Sequence, residues 1–122
     1  MSTVKSRVQL SKHFQAWEFA CHHCGVVPGI SHDLLRVLEQ LRATNDRPLR
    51  VVSGYRCPTH NAAVGGAKGS RHLHGDAADL LPGRFTLTQA ERAGATGIGT
   101  KGQWVTHVDT RPGALTHWRY PL

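Results

Sequence analysis

Apolar residues recur with helical spacing in one stretch of the chain. Leu34, Leu38 and Leu41 lie at positions i, i+4 and i+7, which places them on one face of a helix. Ser31 precedes this stretch and has the side chain of a good helix cap, while Asn45 is followed closely by a proline. The pattern therefore predicts a helix that begins at Ser31 and ends near Asn45.

Shorter runs predict strands. Apolar and β-branched residues are concentrated at positions 49–53, 77–81 and 105–110, each bounded by glycine, proline or polar residues. Positions 59–64, which follow Pro58, are predicted to form one or two helical turns. No internal repeat, low-complexity tract or linker divides the chain.

A second full helix is predicted to begin at Thr88 and to end near Gly94. Thr88 and Glu91 match a capping box, in which the glutamate reaches back to the amide of the cap residue. Glycines clustered within 65–69 and 94–102 are interpreted as loops around short strands. Helices around a few short strands predict an α+β fold, with a small antiparallel sheet flanked by helices.

Composition narrows the class of protein. The 122 residues contain 39% hydrophobic and 19% charged residues, which fits one globular domain over residues 1–122. The formal net charge of +7 favours an anionic partner, such as nucleic acid, anionic lipid or an acidic cell-wall polymer. Because the basic residues are scattered and aromatics are few, specific nucleic-acid binding is not expected. No apolar run approaches the ~20 residues of a membrane span.

The N-terminal segment and the cysteines indicate in which cellular compartment the protein is expected. Lys5 and Arg7 are not followed by an apolar stretch, so we expect no Sec signal peptide. An odd number of cysteines cannot form a closed disulfide framework, which favours free thiols in a reducing compartment. The alternative is a zinc knuckle, in which Cys21, Cys24, Cys57 and one histidine bind a second metal.

A short central segment carries four side chains that bind metals. His72, His74, Asp76 and Asp79 fall within eight residues, and zinc takes neutral imidazole nitrogen and carboxylate oxygen. Asp76 and Asp79 are three residues apart, so they face opposite sides of a strand. Asp79 lies between apolar neighbours, where an uncompensated carboxylate would be costly to bury. We therefore expect His72 and Asp79 to be ligands.

A third ligand is expected from the predicted strand at 105–110. His107 and Asp109 alternate onto the same face of that strand. If the strand pairs in antiparallel fashion with the one that carries Asp79, His107 would lie beside it. Spacing alone leaves open the alternative that these are unrelated polar residues near a loop.

Several motifs occur in a characteristic order over residues 11–118. They are Ser11-Lys12-His13-Phe14 with Glu18-Phe19, Ser53-Gly54-Tyr55-Arg56, Asn61-Ala62-Ala63-Val64-Gly65-Gly66, Ser70-x-His72-x-x-Gly75-x-Ala77-x-Asp79, Gly97-Ile98-Gly99 and His107-Val108-Asp109-Thr110-Arg111. Together they resemble the zinc D-Ala-D-Ala carboxypeptidase family of bacterial cell-wall peptidases, whose fold is shared with the hedgehog signalling domain.

The resemblance implies one Zn²⁺ bound by His72, Asp79 and His107. It also implies that Arg56 contacts the substrate and stabilises an oxyanion. Ser70 would either contact the substrate or cap its own loop. The implied activity is hydrolysis of a peptide bond in peptidoglycan stems, by a D,D-carboxypeptidase or an endopeptidase. We expect a monomer that stays cytoplasmic until it is released, or a phage-encoded endolysin.

One position departs from the family pattern. Relatives commonly place an acidic residue three before the last histidine, as general base, and here Trp104 stands there. Asp109 is the nearest substitute, although it could instead orient His107 through the second ring nitrogen. His117 is a weaker competitor of His107 as third ligand. Trp104 also leaves open a zinc-containing cell-wall-binding module with impaired catalysis.

Overall fold

The computed structural model describes residues 8–122, which contain three α-helices and five β-strands. Lys5 and Arg7, on which the signal-peptide prediction depends, lie outside the described residues. The helices are α1 (His32–Asn45), α2 (Pro58–Ala63) and α3 (Leu87–Ala93). The strands are β1 (Val51–Ser53), β2 (Ala77–Leu80), β3 (Gly97–Lys101), β4 (Trp104–Asp109) and β5 (Thr116–Tyr120). Two 3₁₀ turns cover Ala16–Phe19 and Arg71–His74.

The strands form one sheet in the order β1-β2-β4-β3-β5. All neighbouring strands are antiparallel except β3 and β5, which run parallel. The predicted α+β class with a small, mainly antiparallel sheet is therefore confirmed, and the parallel pair is an addition to it. The register places Asp79 of β2 opposite His107 of β4, and Gly97 of β3 opposite Asp109 of β4.

Helix α1 covers the core as the leucine spacing predicts. Ser31 Oγ accepts a hydrogen bond from the Leu34 amide at 3.2 Å, which confirms the predicted cap. Leu34, Leu38 and Leu41 are completely buried, and each such side chain contributes roughly 1.5–3 kcal/mol. No helix within residues 8–122 is both long and apolar enough to cross a bilayer.

Helix α3 begins one residue earlier than predicted, and its cap is a different threonine. Thr86 Oγ1 accepts from the Gln89 amide at 3.3 Å, and Gln89 Oε1 accepts from the Thr86 amide at 2.9 Å. This reciprocal pair is a capping box, so the prediction that Thr88 and Glu91 form the cap was wrong. Gly94 ends the helix in the left-handed region, with φ of +101°.

Strands β3 and β5 were not predicted. Glycines 97 and 99, which belong to β3, were interpreted as part of a loop. A Cβ at Gly97 would collide with the Asp109 carboxylate, and a Cβ at Gly99 would lie 2.7 Å from Trp118 Nε1. Glycine is thus present in β3 because neighbouring side chains occupy the space above it. Positions 97 and 99 of β3 therefore carry no side chain, and the residues of one face leave no hydrophobic pattern in the sequence.

Residues 11–13 are attached to α1 by the Glu39 carboxylate. Glu39 Oε2 accepts from Ser11 Oγ at 2.7 Å and from the His13 amide at 2.7 Å. Glu39 Oε1 lies 2.6 Å from His13 Nδ1. Phe14, before the first 3₁₀ turn, and Phe19, at its end, are fully buried in the same core as α1.

Candidate metal centre

Three side chains from separate elements converge on one point. Asp79 comes from β2, His107 from the facing position of β4, and His72 from the 3₁₀ turn that precedes β2. Asp79 Oδ1 lies 3.2 Å from His72 Nε2 and 3.1 Å from His107 Nδ1. One ligand atom from each residue lies within 4.8 Å of the other two. The structure thus brings together all three predicted ligands.

Each histidine is held by an acceptor on the far side of its ring. His72 Nδ1 lies 2.6 Å from the Gly54 carbonyl oxygen, and His107 Nε2 lies 2.8 Å from Asp109 Oδ2. Because a carbonyl or carboxylate oxygen can only accept, each of these nitrogens must carry the proton. In the neutral form that binds a metal, the rings direct the lone pairs of His72 Nε2 and His107 Nδ1 towards Asp79.

The arrangement of these three ligand atoms suits a bound cation. Three atoms with lone pairs face one another, and acceptors this close need a proton or a metal ion between them. Burial lowers the pKa of His107, but the neighbouring carboxylates of Asp109 and Asp79 outweigh it and raise that pKa. Burial would raise the pKa of Asp79, but the neighbouring His107 and His72 hold it well below its ordinary value. The carboxylate is consequently ionised and able to serve as a ligand.

Arg56 lies beside the carboxylate that these histidines share. Its Nη2 donates to Asp79 Oδ2 at 3.1 Å, and its Nη1 donates to Asn61 Oδ1 at 3.2 Å. Asn61 is buried and also donates to the Ala67 carbonyl at 2.9 Å. A Cβ at Gly66 would collide with the Asn61 amide group. Asn61 was not among the predicted site residues, although the Asn61–Gly66 motif was its signal.

Ser70 caps the turn that carries His72. Its Oγ accepts from the His72 amide at 3.3 Å, and the residue also lines the cleft above the three ligands. The capping alternative for Ser70 therefore matches its hydrogen bond. The residue is also half-buried at the wall of the cleft, the position that the substrate-contact alternative requires.

Asp109 is completely buried behind His107. Its Oδ1 accepts from the Arg111 amide at 3.1 Å and from Arg111 Nε at 2.9 Å. Its Oδ2 accepts from Arg111 Nη2 at 2.7 Å, in addition to the bond from His107. Burial would raise the pKa of Asp109, but the hydrogen bonds from Arg111 and His107 hold it well below its ordinary value. Both oxygens are engaged.

The three ligands form part of the wall of a cleft of about 910 Å³. Trp118 and Tyr120 of β5 line it with aromatic surface, and four cationic side chains also line it: Arg56, Arg71, Lys101 and Arg111. Asp79 is the only carboxylate that lines this cleft within residues 8–122. Trp104 is not among the lining residues.

The competing residues lie outside the cluster. His117 Nε2 lies 2.9 Å from Thr100 Oγ1, and His74 is exposed at the end of its turn. Asp76 precedes β2 and accepts from Arg71 Nε at 3.1 Å. In the described part of the chain, neither histidine joins the group that could hold a metal with Asp79.

Comparison with known proteins shows which sequences this chain is similar to. A sequence model of a family described as peptidase M15 matches residues 10–109. The zinc D-Ala-D-Ala carboxypeptidase of Streptomyces albus G is 51% identical over 53 residues. This similarity covers 41% of the present chain and 21% of that enzyme, so the chain matches only about a fifth of the relative's length.

Proposed function

Because this chain belongs to the peptidase M15 family, we propose that it is a zinc metallopeptidase that cleaves a peptide bond in peptidoglycan stem peptides. The observation that carries the proposal is the convergence of His72 Nε2, Asp79 Oδ1 and His107 Nδ1 at the wall of a cationic cleft. The name of the Streptomyces albus G relative supports both zinc and a substrate of the D-Ala-D-Ala type.

The donor set suits zinc. Two imidazole nitrogens and one carboxylate oxygen match catalytic zinc sites, which use three protein ligands and keep a position open. His72, Asp79 and His107 would hold Zn²⁺, which would supply a Lewis acid for polarising a carbonyl group and lowering the pKa of a water molecule. Gly54 and Asp109, which accept from the far nitrogens of the two histidines, keep both rings in the tautomer that binding requires.

The cationic side chains have separate roles in this proposal. Arg56 reaches the ligand carboxylate through Nη2, so it lies where an oxyanion forming at the same point would receive a hydrogen bond. Lys101 lines the cleft and forms no ion pair within the described residues. We assign it to the carboxylates of the stem peptide, whose charge its ammonium group complements.

Asp109 is proposed as a positioning residue rather than as the proton acceptor. Complete burial and the engagement of both oxygens support this role, because the carboxylate has no free oxygen directed into the cleft. Within residues 8–122, Asp79 is the only carboxylate that lines the cleft, so no second carboxylate there is available as the proton acceptor. This observation favours a second candidate function. It is a zinc-containing module that binds cell-wall peptides without cleaving them.

The test is incubation of the chain with purified stem pentapeptides and with intact peptidoglycan, followed by mass spectrometry of the products. We expect cleavage that a chelator abolishes and added zinc restores. Loss of the terminal residue identifies a carboxypeptidase, and division of the stem identifies an endopeptidase. His72→Ala should abolish cleavage, whereas His74→Ala, which changes an exposed neighbour, should retain it.

Two results would reject the hydrolytic proposal. Zinc-dependent binding to peptidoglycan without any release of amino groups would support the binding module instead. Failure of the folded, zinc-loaded chain both to bind and to cleave would reject both candidate functions.

A further inference from the structure

A second cluster of metal-binding side chains lies away from the three cleft ligands. The Sγ atoms of Cys21, Cys24 and Cys57 lie within 4.8 Å of one another. All three cysteines of the chain are in the described part, and all are free thiols. The proposed hydrolysis uses none of them. Cys57 is separated by more than thirty residues from the other two, so the chain must fold to bring it there.

The backbone around the cluster is shaped to present sulfur. The Gly25 amide donates to the Cys21 carbonyl at 2.8 Å, and Gly25 adopts a positive φ of +75°. This tight Cys-x-x-Cys-Gly turn directs both of its thiols to the same side. The Cys57 amide points at Cys21 Sγ from 3.4 Å, and the His60 amide points at Cys57 Sγ from 3.4 Å. Hydrogen bonds of this kind favour the anionic form of sulfur.

A nitrogen donor lies next to the three thiols. His23 Nδ1 is 3.6 Å from Cys57 Sγ, although His23 is not one of the three residues whose ligand atoms all lie close together. The His23 ring is nearly parallel to that of His60, at an angle of 3° and a centroid distance of 6.3 Å. The exposed His23 side chain is thus the nitrogen donor nearest to Cys57 Sγ among the hydrogen-bonding contacts of that thiol.

We propose that Cys21, Cys24 and Cys57 bind a structural Zn²⁺ as thiolates, with His23 Nδ1 as the fourth ligand. Three sulfurs and one imidazole form a closed tetrahedral set that is typical of structural zinc and leaves no position for a substrate. Binding releases the three thiol protons to solvent. A disulfide framework is a poorer account of the cluster, because pairing any two cysteines leaves the third beside the bond.

The site would fix the loop that carries Arg56. Cys57 caps α2 and directly follows Arg56, whose amide donates to the His72 carbonyl at 3.0 Å. The Tyr55 amide donates to the Phe19 carbonyl at 2.9 Å, so the same loop is attached to the segment that leads to Cys21. A metal at the cysteines would join these two segments through its own bonds, as an intramolecular crosslink.

Cobalt substitution tests the proposal, because only this cluster contains sulfur. The folded chain, purified with its thiols reduced, should hold two metal ions, and Co²⁺ loading should give a sulfur-to-cobalt charge-transfer band in the near ultraviolet. Cys24→Ser should remove one metal and this band. His72→Ala should remove the other metal and keep the band, so failure here is distinguishable from failure of the proposed hydrolytic function.

The fourth ligand has a matched control in the adjacent histidine. His23→Ala should weaken zinc binding at this site by at least about tenfold, whereas His22→Ala should leave it unchanged. A folded, reduced protein that holds one metal ion and lacks the charge-transfer band would overturn the proposal. Equal effects of the two histidine variants would overturn the assignment of His23.

Discussion

At the scale of single residues, the metal centre depends on which nitrogen of each histidine carries the proton. Gly54 and Asp109 accept from His72 Nδ1 and His107 Nε2, so the opposite nitrogens face Asp79 with their lone pairs. His72 therefore presents its Nε2 and His107 its Nδ1 to the same oxygen atom, Asp79 Oδ1. The two acceptors determine the ligand atoms, although neither touches the metal position itself.

Replacement of Asp109 separates the two roles considered for it. Asp109→Asn should weaken zinc affinity about 10- to 100-fold, because the amide holds the His107 ring less well than a carboxylate. The measurement is competition with a fluorescent chelator, with circular dichroism as a check of folding. Asp33→Asn, at an exposed aspartate paired with Arg36, is the control and should leave zinc affinity unchanged. Unchanged affinity with lost turnover would indicate that Asp109 is the base.

The candidate site was largely predictable at this scale, and the reasons are particular. Alternation along a strand placed His107 and Asp109 on one face, and the bond between them agrees with that pattern. The burial of Asp109 was not predictable, because it depends on Arg111 closing over the carboxylate and on Gly97 of β3 leaving room for it. These contacts join positions whose proximity only the folded sheet creates.

At the scale of elements, short-range hydrogen bonds decide where each helix begins. Helix α1 begins at the residue after Ser31, and its N-terminal turn is closed by one side chain. Helix α3 begins after Thr86 although Thr88 also fits a capping pattern. The partly buried Leu87 packs against the core from the first helical position, which favours the earlier start.

The choice between the two threonines can be measured. Thr86→Ala should reduce the free energy of unfolding by about 1 kcal/mol, because the Gln89 amide loses its acceptor. Thr88→Ala, within the exposed first turn of α3, should change it by no more than about half that amount. Chemical denaturation at neutral pH compares the two variants. An equal loss in both would mean that the cap does not determine the stability of α3.

Helices were easier to predict than strands for a physical reason. The leucines of α1 share one face, so their spacing in the sequence is itself the signal. In β3, by contrast, positions 97 and 99 carry no side chain, and the space is filled by Asp109 of β4 and Trp118 of β5. A strand whose partners supply the packing has no periodic pattern of its own.

At the scale of the whole molecule, residues 11–13 and α1 are joined by the Glu39 carboxylate. Burial would raise the pKa of Glu39, but hydrogen bonds from His13 and Ser11 outweigh it and lower that pKa. A group with a lowered pKa in the folded state stabilises the fold at neutral pH. The contribution disappears as the pH falls through the range in which the folded carboxyl group takes up a proton.

This linkage predicts a stability difference that depends on pH. Glu39→Gln should reduce the free energy of unfolding by about 1–2 kcal/mol at pH 7, since hydrogen bonds to a charged acceptor are lost. The difference from the unmodified chain should be smaller at about pH 3, which lies below the ordinary pKa of a glutamate, so that part of the linkage contribution has been lost. Urea titrations at the two pH values measure it, with Glu91→Gln at an exposed glutamate of α3 as control. A loss of equal size at both values would contradict the argument.

The central position of β4 has a consequence for the order in which the molecule assembles during synthesis. β4 pairs with both β2 and β3, yet it is the fourth strand to leave the ribosome. Until it emerges, β1 and β2 form a pair that is too small to be stable alone, and one edge of β2 stays open to other chains. Folding of the sheet and collection of the three candidate ligands therefore coincide, when His107 arrives.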